Sequence, residues 1–384
     1  MLLLCSTAKM IPINKPWLDL DEKNEIMNVL DESALTSAAK DGGKRVRDFE
    51  LQLRNYLKAK HVIAVNSGTA ALYAALIAAE IKNDDEVLIP SFTFVATANS
   101  VVALGAKPIF VDIKKDDYTI DASDLEAKIT NKSKAIVPVH LYGHPCAMDE
   151  ISELADKYSL KIIEDACQSV GSTFKKKQTG TLGLMGCFSM YASKVLTCGE
   201  GGAISTNSDD LAEKLKMIRN HGMVDGYDTR VFGLNLRLPE ISAAIAMAQT
   251  KRLPKMLDSR RTNAELMSRT LRSITNKLKI KLPEETDGKK FNWYLYTVAF
   301  EDSRLREKIK EKMLNDGIGA TVYYDPPVHK TPYYRHMAVD SYKNGNGYLS
   351  KTEWSSEHVL SLPVHPFVTE QDIGKMVNVF KEME

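Results

Sequence analysis

Cysteine is scarce in this chain, five in 384 residues, and the five stand apart: Cys5, Cys146, Cys167, Cys187 and Cys198. No pair has CxxC spacing and the number is odd, which fits reduced thiols better than a disulfide framework or a zinc site. A charge of one sign is also missing. The 51 Lys and Arg nearly balance the 50 Asp and Glu, for a formal net charge of +1. That leaves no global field to attract nucleic acid, and no basic stretch is interleaved with aromatics. No window approaches the roughly twenty apolar residues of a membrane span. The start, Met1 to Met10, carries an apolar run too short for a signal-peptide core and lacks a basic n-region. It reads as a disordered leader, or else the natural start is Met10, and a cytoplasmic protein is expected. Repeats, low-complexity tracts and long linkers are absent.

What is present is ordinary for a soluble globular protein: 44% hydrophobic and 26% charged residues. At this length two domains are expected. From residue 60 to about 205, short β-branched apolar runs alternate with helical patterns. The strands read as His61–Val65, Glu86–Pro90, Lys107–Val111, Lys134–Val139, Lys161–Asp165, Gly186–Met190 and Gly202–Thr206. The helices between them read as 69–79, 95–103, 124–129 and 149–158. Such alternation predicts an α/β fold with a mainly parallel sheet flanked by helices. A helix follows at 209–220, and another enters at Glu240. The pattern changes at Leu253-Pro254, beyond which a charged helix (255–271), a strand (293–300), a helix (303–316) and a final helix from Thr369 read as a smaller α+β domain. The expected division is 1–254 and 255–384.

Three chemical signals fall at the carboxyl ends of strands, where open α/β sheets bind ligands. Ser67-Gly68-Thr69 follows a strand and opens a helix. Gly68 lets the backbone approach an anion, and the N–H groups of Thr69 and Ala70 point at it; the plain alternative is an N-cap. Asp165 ends another strand and can serve as a helix cap, a metal ligand or a partner for a ring nitrogen. Glu164 alternates to the other face, so a metal site lacks ligands. Gln168 lies three residues on. Lys194 stands in a loop before Gly199, Gly201 and Gly202, among small residues that suit burial at a ligand. An amine, a carboxylate and a phosphate cradle together are the needs of pyridoxal phosphate (PLP). Ser189 adds a hydroxyl for phosphate, or is a strand-surface serine. Phe94 can stack on a flat ring, or simply pack in the core. Cys198 reads as a small loop residue, with a reactive thiol as the alternative. A nicotinamide enzyme would show GxGxxG after the first strand, and Asn66-Ser-Gly-Thr69 is not that.

Several stretches together resemble the DegT/DnrJ/EryC1/StrS family of nucleotide-sugar aminotransferases. They are Val65–Leu72, Pro90–Thr97, Pro138–Pro145, Ile163–Gln168, Gly199–Gly202, Arg219–Met223 and Leu360–Pro366. The resemblance runs from about Met10 to the C-terminus. It implies the aspartate-aminotransferase fold, with a large PLP-binding domain and a small C-terminal one. By resemblance Lys194 holds PLP and is catalytic, Asp165 pairs with the pyridine nitrogen, and Gln168 lies near the ring oxygen. Phe94 stacks on the ring, and Gly68, Thr69, Ala70 and Ser189 take the phosphate. Asn235 would reach the phosphate of a neighbouring subunit, which implies a homodimer with shared sites. His329 would face the substrate. The family's Gly-Tyr-Asn-Tyr-Arg is Gly-Leu-Asn-Leu-Arg here. A lysine at 194 argues against relatives that carry histidine and act as dehydratases. Glu200, in Gly-Glu-Gly-Gly, resembles enzymes acting at sugar C-4, and His140–Cys146 is similar to perosamine synthases. Glutamate and a nucleotide-linked keto-sugar, in surface-polysaccharide biosynthesis, are the expected substrates. A C-3 aminotransferase and a non-catalytic regulator of the same fold are the alternatives.

Overall fold

The computed structural model describes residues 10–286, 288–338 and 348–383. The expected leader, Met1 to Lys9 with Cys5, lies outside the described residues. Two helices precede the first strand, α1 (Leu20–Asp31) and α2 (Lys44–Leu57), where the sequence reading places nothing. Both had signals. Asp19 and Glu22 form a capping box on α1. In α2 the apolar stripe Val46, Phe49, Leu53 and Leu57 is buried.

The central sheet is built from β1 (His61–Val65), β2 (Glu86–Pro90), β3 (Lys107–Val111), β4 (Ser133–Ile136), β5 (Lys161–Asp165), β8 (Met185–Ser189) and β9 (Gly202–Thr206). Its order is β1-β9-β8-β5-β4-β2-β3. Pairing is parallel throughout except at β9, which runs against both β1 and β8. The other six strands therefore point the same way, and their carboxyl ends share one edge. The register sets Gly202 opposite both Val65 and Ser189. A small hairpin, β6 (Thr173–Phe174) with β7 (Lys177–Gln178), pairs with β11 (Lys289–Lys290). A third sheet joins β10 (Ile280–Lys281), β12 (Tyr296–Phe300) and β13 (Val359–Leu362).

Helices α3 (Gly68–Ala78), α4 (Ala96–Val102), α5 (Ala122–Ala127), α6 (Met148–Tyr158) and α7 (Asp209–Ile218) connect or cover these strands. The apolar α3 is almost wholly buried, as a helix hydrophobic on every side must be. The break expected at Leu253-Pro254 is absent. One 32-residue helix, α8 (Glu240–Leu271), runs straight through with Pro254 inside it. Proline removes one ladder hydrogen bond and costs about 3 kcal/mol. Burial of Ala243, Ala246, Met247, Leu253, Met256, Ala264 and Met267 along the same helix outweighs that cost. At its start the Glu240 carboxylate accepts the N–H groups of Arg45 (2.8 Å) and Val46 (3.4 Å), capping α2. Ile11 bridges Ile318 and joins the core of the C-terminal sheet, so the first described residues pack across the expected division.

Candidate active site

The shared strand edge opens into a cavity of about 510 Å³. Ser67, Gly68 and Thr69 line it after β1, Phe94 and Thr97 after β2, Asp165 and Gln168 after β5, and Ser189 and Lys194 after β8. The sheet's direction, more than any single motif, brings these residues together.

At one end lies the turn into α3. Ser67 Oγ accepts the Ala70 N–H at 3.0 Å and caps the helix. The Ala70 N–H, expected to point at the phosphate, is occupied by this cap, and Ala70 does not line the cavity. The N–H groups of Gly68 and Thr69 have no protein acceptor among the described residues. Glycine is required at 68 by close approach: a Cβ there would lie 2.7 Å from Ser189 Cβ and 3.0 Å from Cys167 Sγ. The half-buried Ser189 thus stands against the same turn.

Asp165 is 5% exposed, and no cation stands within 4 Å of it among the described residues. Its Oδ2 accepts the Thr97 hydroxyl at 2.8 Å, and its Oδ1 accepts the Cys167 N–H at 3.2 Å. Thr93 Oγ1 lies 3.0 Å from Thr97 Oγ1 and extends the chain of hydroxyls. Gln168 is held by both ends of its amide. Its Oε1 accepts the Tyr142 N–H at 2.8 Å, and its Nε2 donates to Tyr324 Oη at 3.0 Å. Burial drives the Tyr324 hydroxyl well above its ordinary pKa, so it stays protonated. Burial also pushes the Cys167 thiol far up; Asp165 acts the same way and Lys194 opposes it, so both flank Cys167. Lys194 Nζ lies 4.8 Å from the centroid of the Tyr294 ring. Phe94 is 55% exposed on the cavity wall, tilted against Tyr324 with ring centroids 6.0 Å apart.

Two expected residues lie apart. His329 is buried behind the site: Nδ1 is 2.6 Å from Ser91 Oγ and Nε2 is 3.3 Å from Glu353 Oε1, and burial lowers its pKa. It does not line the cavity, so the substrate-facing role is not supported by this geometry. Asn235 is exposed and also outside the cavity; its carbonyl accepts Asn66 Nδ2 at 3.3 Å. Cys198 is buried, and burial raises its thiol to about 12, so it serves the loop's packing rather than reactivity. Sequence reasoning missed Thr97, Tyr294 and Tyr324. Thr97 closes the stretch Pro90–Thr97, and Tyr324 lies in the aromatic, proline-rich run Val322–His329, a signal that could have pointed to it. No group of His, Cys, Asp and Glu able to hold a metal exists among the described residues.

The model of the DegT/DnrJ/EryC1/StrS aminotransferase family matches residues 20–381. This chain belongs to that family. It is accordingly a PLP-dependent aminotransferase. The GDP-perosamine synthase of Caulobacter vibrioides is 36% identical, over 96% of each chain. The UDP-N-acetyl-3-dehydro-alpha-D-glucosamine 3-aminotransferase of Acidithiobacillus ferrooxidans is 35% identical, over 88% of each. The crystal structure of DesV from S. venezuelae superposes with a TM-score of 0.87 at 33% identity, covering 97% of this chain and 98% of that one. The family member's own residues fit the cofactor. A buried carboxylate held by two neutral donors and no cation suits a positively charged ring N–H as a further partner. Free helix-start N–H groups beside a serine suit a phosphate. A lysine amine without a carboxylate partner suits an aldehyde.

Proposed function

We propose that this aminotransferase moves an amino group from glutamate to a nucleotide-linked keto-sugar, with sugar C-4 as the preferred position. The observation that carries the reading is the meeting of Lys194, Asp165 and the Ser67–Thr69 turn in one cavity. Gly68, Thr69 and Ser189 hold the phosphate, Asp165 the ring nitrogen, Gln168 the ring oxygen, and Phe94 covers the ring face. When bound, the cofactor supplies an aldehyde for the amino group and a ring that takes up negative charge. Lys194 takes the α-proton of the amino donor in one half-reaction. It gives a proton to the sugar carbon that receives nitrogen in the other. Thr97 and the Cys167 N–H hold the Asp165 carboxylate where it can keep the ring nitrogen protonated. The buried Tyr294 and the half-buried Tyr323 and Tyr324 of the wall restrict water at these transfers.

Support for C-4 comes from Glu200, which lines the cavity and sits in the Gly-Glu-Gly-Gly pattern. A GDP-perosamine synthase among the relatives agrees with it, whereas the 3-aminotransferase favours C-3. The exposed Asn235 agrees with a role in a neighbour's site, and hence with a homodimer. The test is a visible spectrum before and after glutamate, then a screen of keto-sugar nucleotides. Bleaching by glutamate and turnover with a GDP-linked 4-keto-6-deoxy sugar support the reading. Turnover with 3-keto sugars alone refutes the C-4 assignment. Absence of a cofactor band after adding PLP refutes the site.

A further inference from the structure

Tyr294 reaches the cavity from the segment just before β12, while Lys194 comes from the loop after β8. Lys194 Nζ has no carboxylate within 4 Å among the described residues. Asp165 is engaged by Thr97 and the Cys167 N–H instead. What the amine does have is the face of the Tyr294 ring, 4.8 Å from Nζ to centroid, within the range of a cation–π contact.

The ring is held with unusual care for a wall residue. Its hydroxyl lies 3.2 Å from Oγ of Ser193, the residue before the lysine. The Tyr294 N–H donates to Asn292 Oδ1 at 2.9 Å. Asn292 Nδ2 in turn donates to the carbonyls of Gln168 (2.9 Å) and Val170 (3.0 Å). From the other side comes Arg260 of α8, only 3% exposed. Its Nη1 donates to the carbonyls of Trp293 (3.1 Å) and Tyr294 (3.2 Å), and its Nη2 to Asn14 Oδ1 (3.0 Å). A buried guanidinium spent on two consecutive carbonyls is costly unless it fixes something. Trp293 between these anchors has φ +53°, a left-handed conformation that a tryptophan adopts only when its surroundings impose it.

We propose that Tyr294 is a positioning residue for Lys194: its ring face is the resting place of the amine whenever the amine is not bonded to the cofactor. The proposal rests on the reading of Lys194 as the catalytic amine. The ring holds the ammonium by its quadrupole and keeps it from the Asp165 carboxylate. Asn292 ties that ring to the backbone of Gln168, so the amine and the ring-oxygen contact are set by one segment. The other titratable groups that line the cavity with the amine are Asp165, Cys167, Glu200, Tyr191, Tyr323 and Tyr324; burial keeps the thiol and the hydroxyls of Tyr323 and Tyr324 protonated at neutral pH.

The test reads the amine itself. The full-length chain is freed of cofactor, and in parallel the holoenzyme is treated with glutamate. Each is labelled with acetic anhydride between pH 6 and 10, and the Lys194 peptide is quantified by mass. Losing the ring face destabilises the ammonium, so free amine appears at lower pH. Tyr294→Leu should raise labelling at pH 7 about three- to tenfold, while Tyr294→Phe stays close to wild type. Should the leucine variant not fold, a series of increasingly fluorinated phenylalanines at position 294 keeps the shape and weakens the quadrupole. A graded rise along that series supports the proposal. A flat series, or a phenylalanine variant as altered as leucine, overturns it. Failure of the underlying reading shows differently: borohydride reduction would leave no PLP on Lys194 in the wild-type holoenzyme.

Discussion

Adding one methyl group at Gly202 should weaken cofactor binding or destabilise the fold, although Gly202 does not line the cavity. A Cβ at 202 overlaps the carbonyl carbon and oxygen of Ser67 and lies 2.9 Å from the Gly68 nitrogen. These are backbone atoms, so no rotamer change relieves the clash. Overpacking costs about 1–3 kcal/mol, and a clash with backbone belongs at the upper end. Either β9 holds and the Ser67–Thr69 turn moves, or the turn holds and β9 is strained. In the first case the phosphate loses charge-assisted hydrogen bonds worth about 1.5–3 kcal/mol, a roughly 10–100-fold weaker Kd for PLP. In the second, Tm falls by several degrees. Gly374 is the control. A Cβ there meets nothing within 4 Å on an interior turn of the helix Glu370–Lys381. Gly374→Ala should stabilise by about 0.5–1 kcal/mol and leave PLP affinity alone. PLP titration of the cofactor-free proteins and thermal melts read both effects. A Gly202→Ala protein with wild-type Kd and wild-type Tm would refute the reasoning.

Further outcomes follow from the same geometry. Thr97→Val removes a donor to the Asp165 carboxylate; kcat should fall about 10–100-fold with PLP still bound, measured by steady-state kinetics and cofactor absorbance. Asp165→Asn should cost turnover roughly 10²–10³-fold or more while the protein still melts cooperatively, and unchanged turnover would remove Asp165 from the site. His144 is buried and stacked on Phe291 at 3.9 Å, and burial lowers its pKa from 6.5 to about 4. The unfolded chain then binds a proton that the folded one refuses. His144's share of stability is complete above pH about 6.5 and is lost as pH falls toward 4, by up to about 3 kcal/mol; the gap between urea midpoints at pH 7 and 5 should narrow in His144→Leu but not close, because His365, also lowered to about 4 by burial, still titrates the same way. If Asn235 serves the neighbouring subunit, co-expressed Lys194→Ala and Asn235→Asp chains should recover roughly a quarter of wild-type activity, since only mixed dimers carry one intact site. No recovery would confine Asn235 to its own chain.

Much of this was legible beforehand because strands buried on both faces leave a strong mark. His61–Val65, Lys161–Asp165 and Gly202–Thr206 were read to the residue. The cofactor motifs sit where those strands end, so reading the strands located the motifs. The failures have physical causes too. Pro254 looked like a boundary because proline costs a hydrogen bond, yet apolar burial on both sides of it decides the matter. Val95-Ala-Thr97 looked like a helix start, and nothing local says that its threonine reaches Asp165, 68 residues away. Tyr294 reads as part of a strand beginning at 293, but β12 begins only at Tyr296, Trp293 has a positive φ that breaks the strand, and Tyr294 lines the cavity. The partners of His329, Ser91 and Glu353, come from distant parts of the chain and carry no local signal either.

The continuous α8 helix has a consequence for how the molecule opens. Its two ends are anchored in different places, Glu240 under the start of α2 and Leu271 in the core beside the C-terminal sheet. Pro254 leaves a single rung missing between them. Backbone amide exchange should therefore begin within a turn of Pro254 and spread outward, with the stretches at 243–247 and 264–271 protected longest. The rod has a built-in seam. Arg260, two turns beyond it, would carry any bend at that seam to the carbonyls of Trp293 and Tyr294.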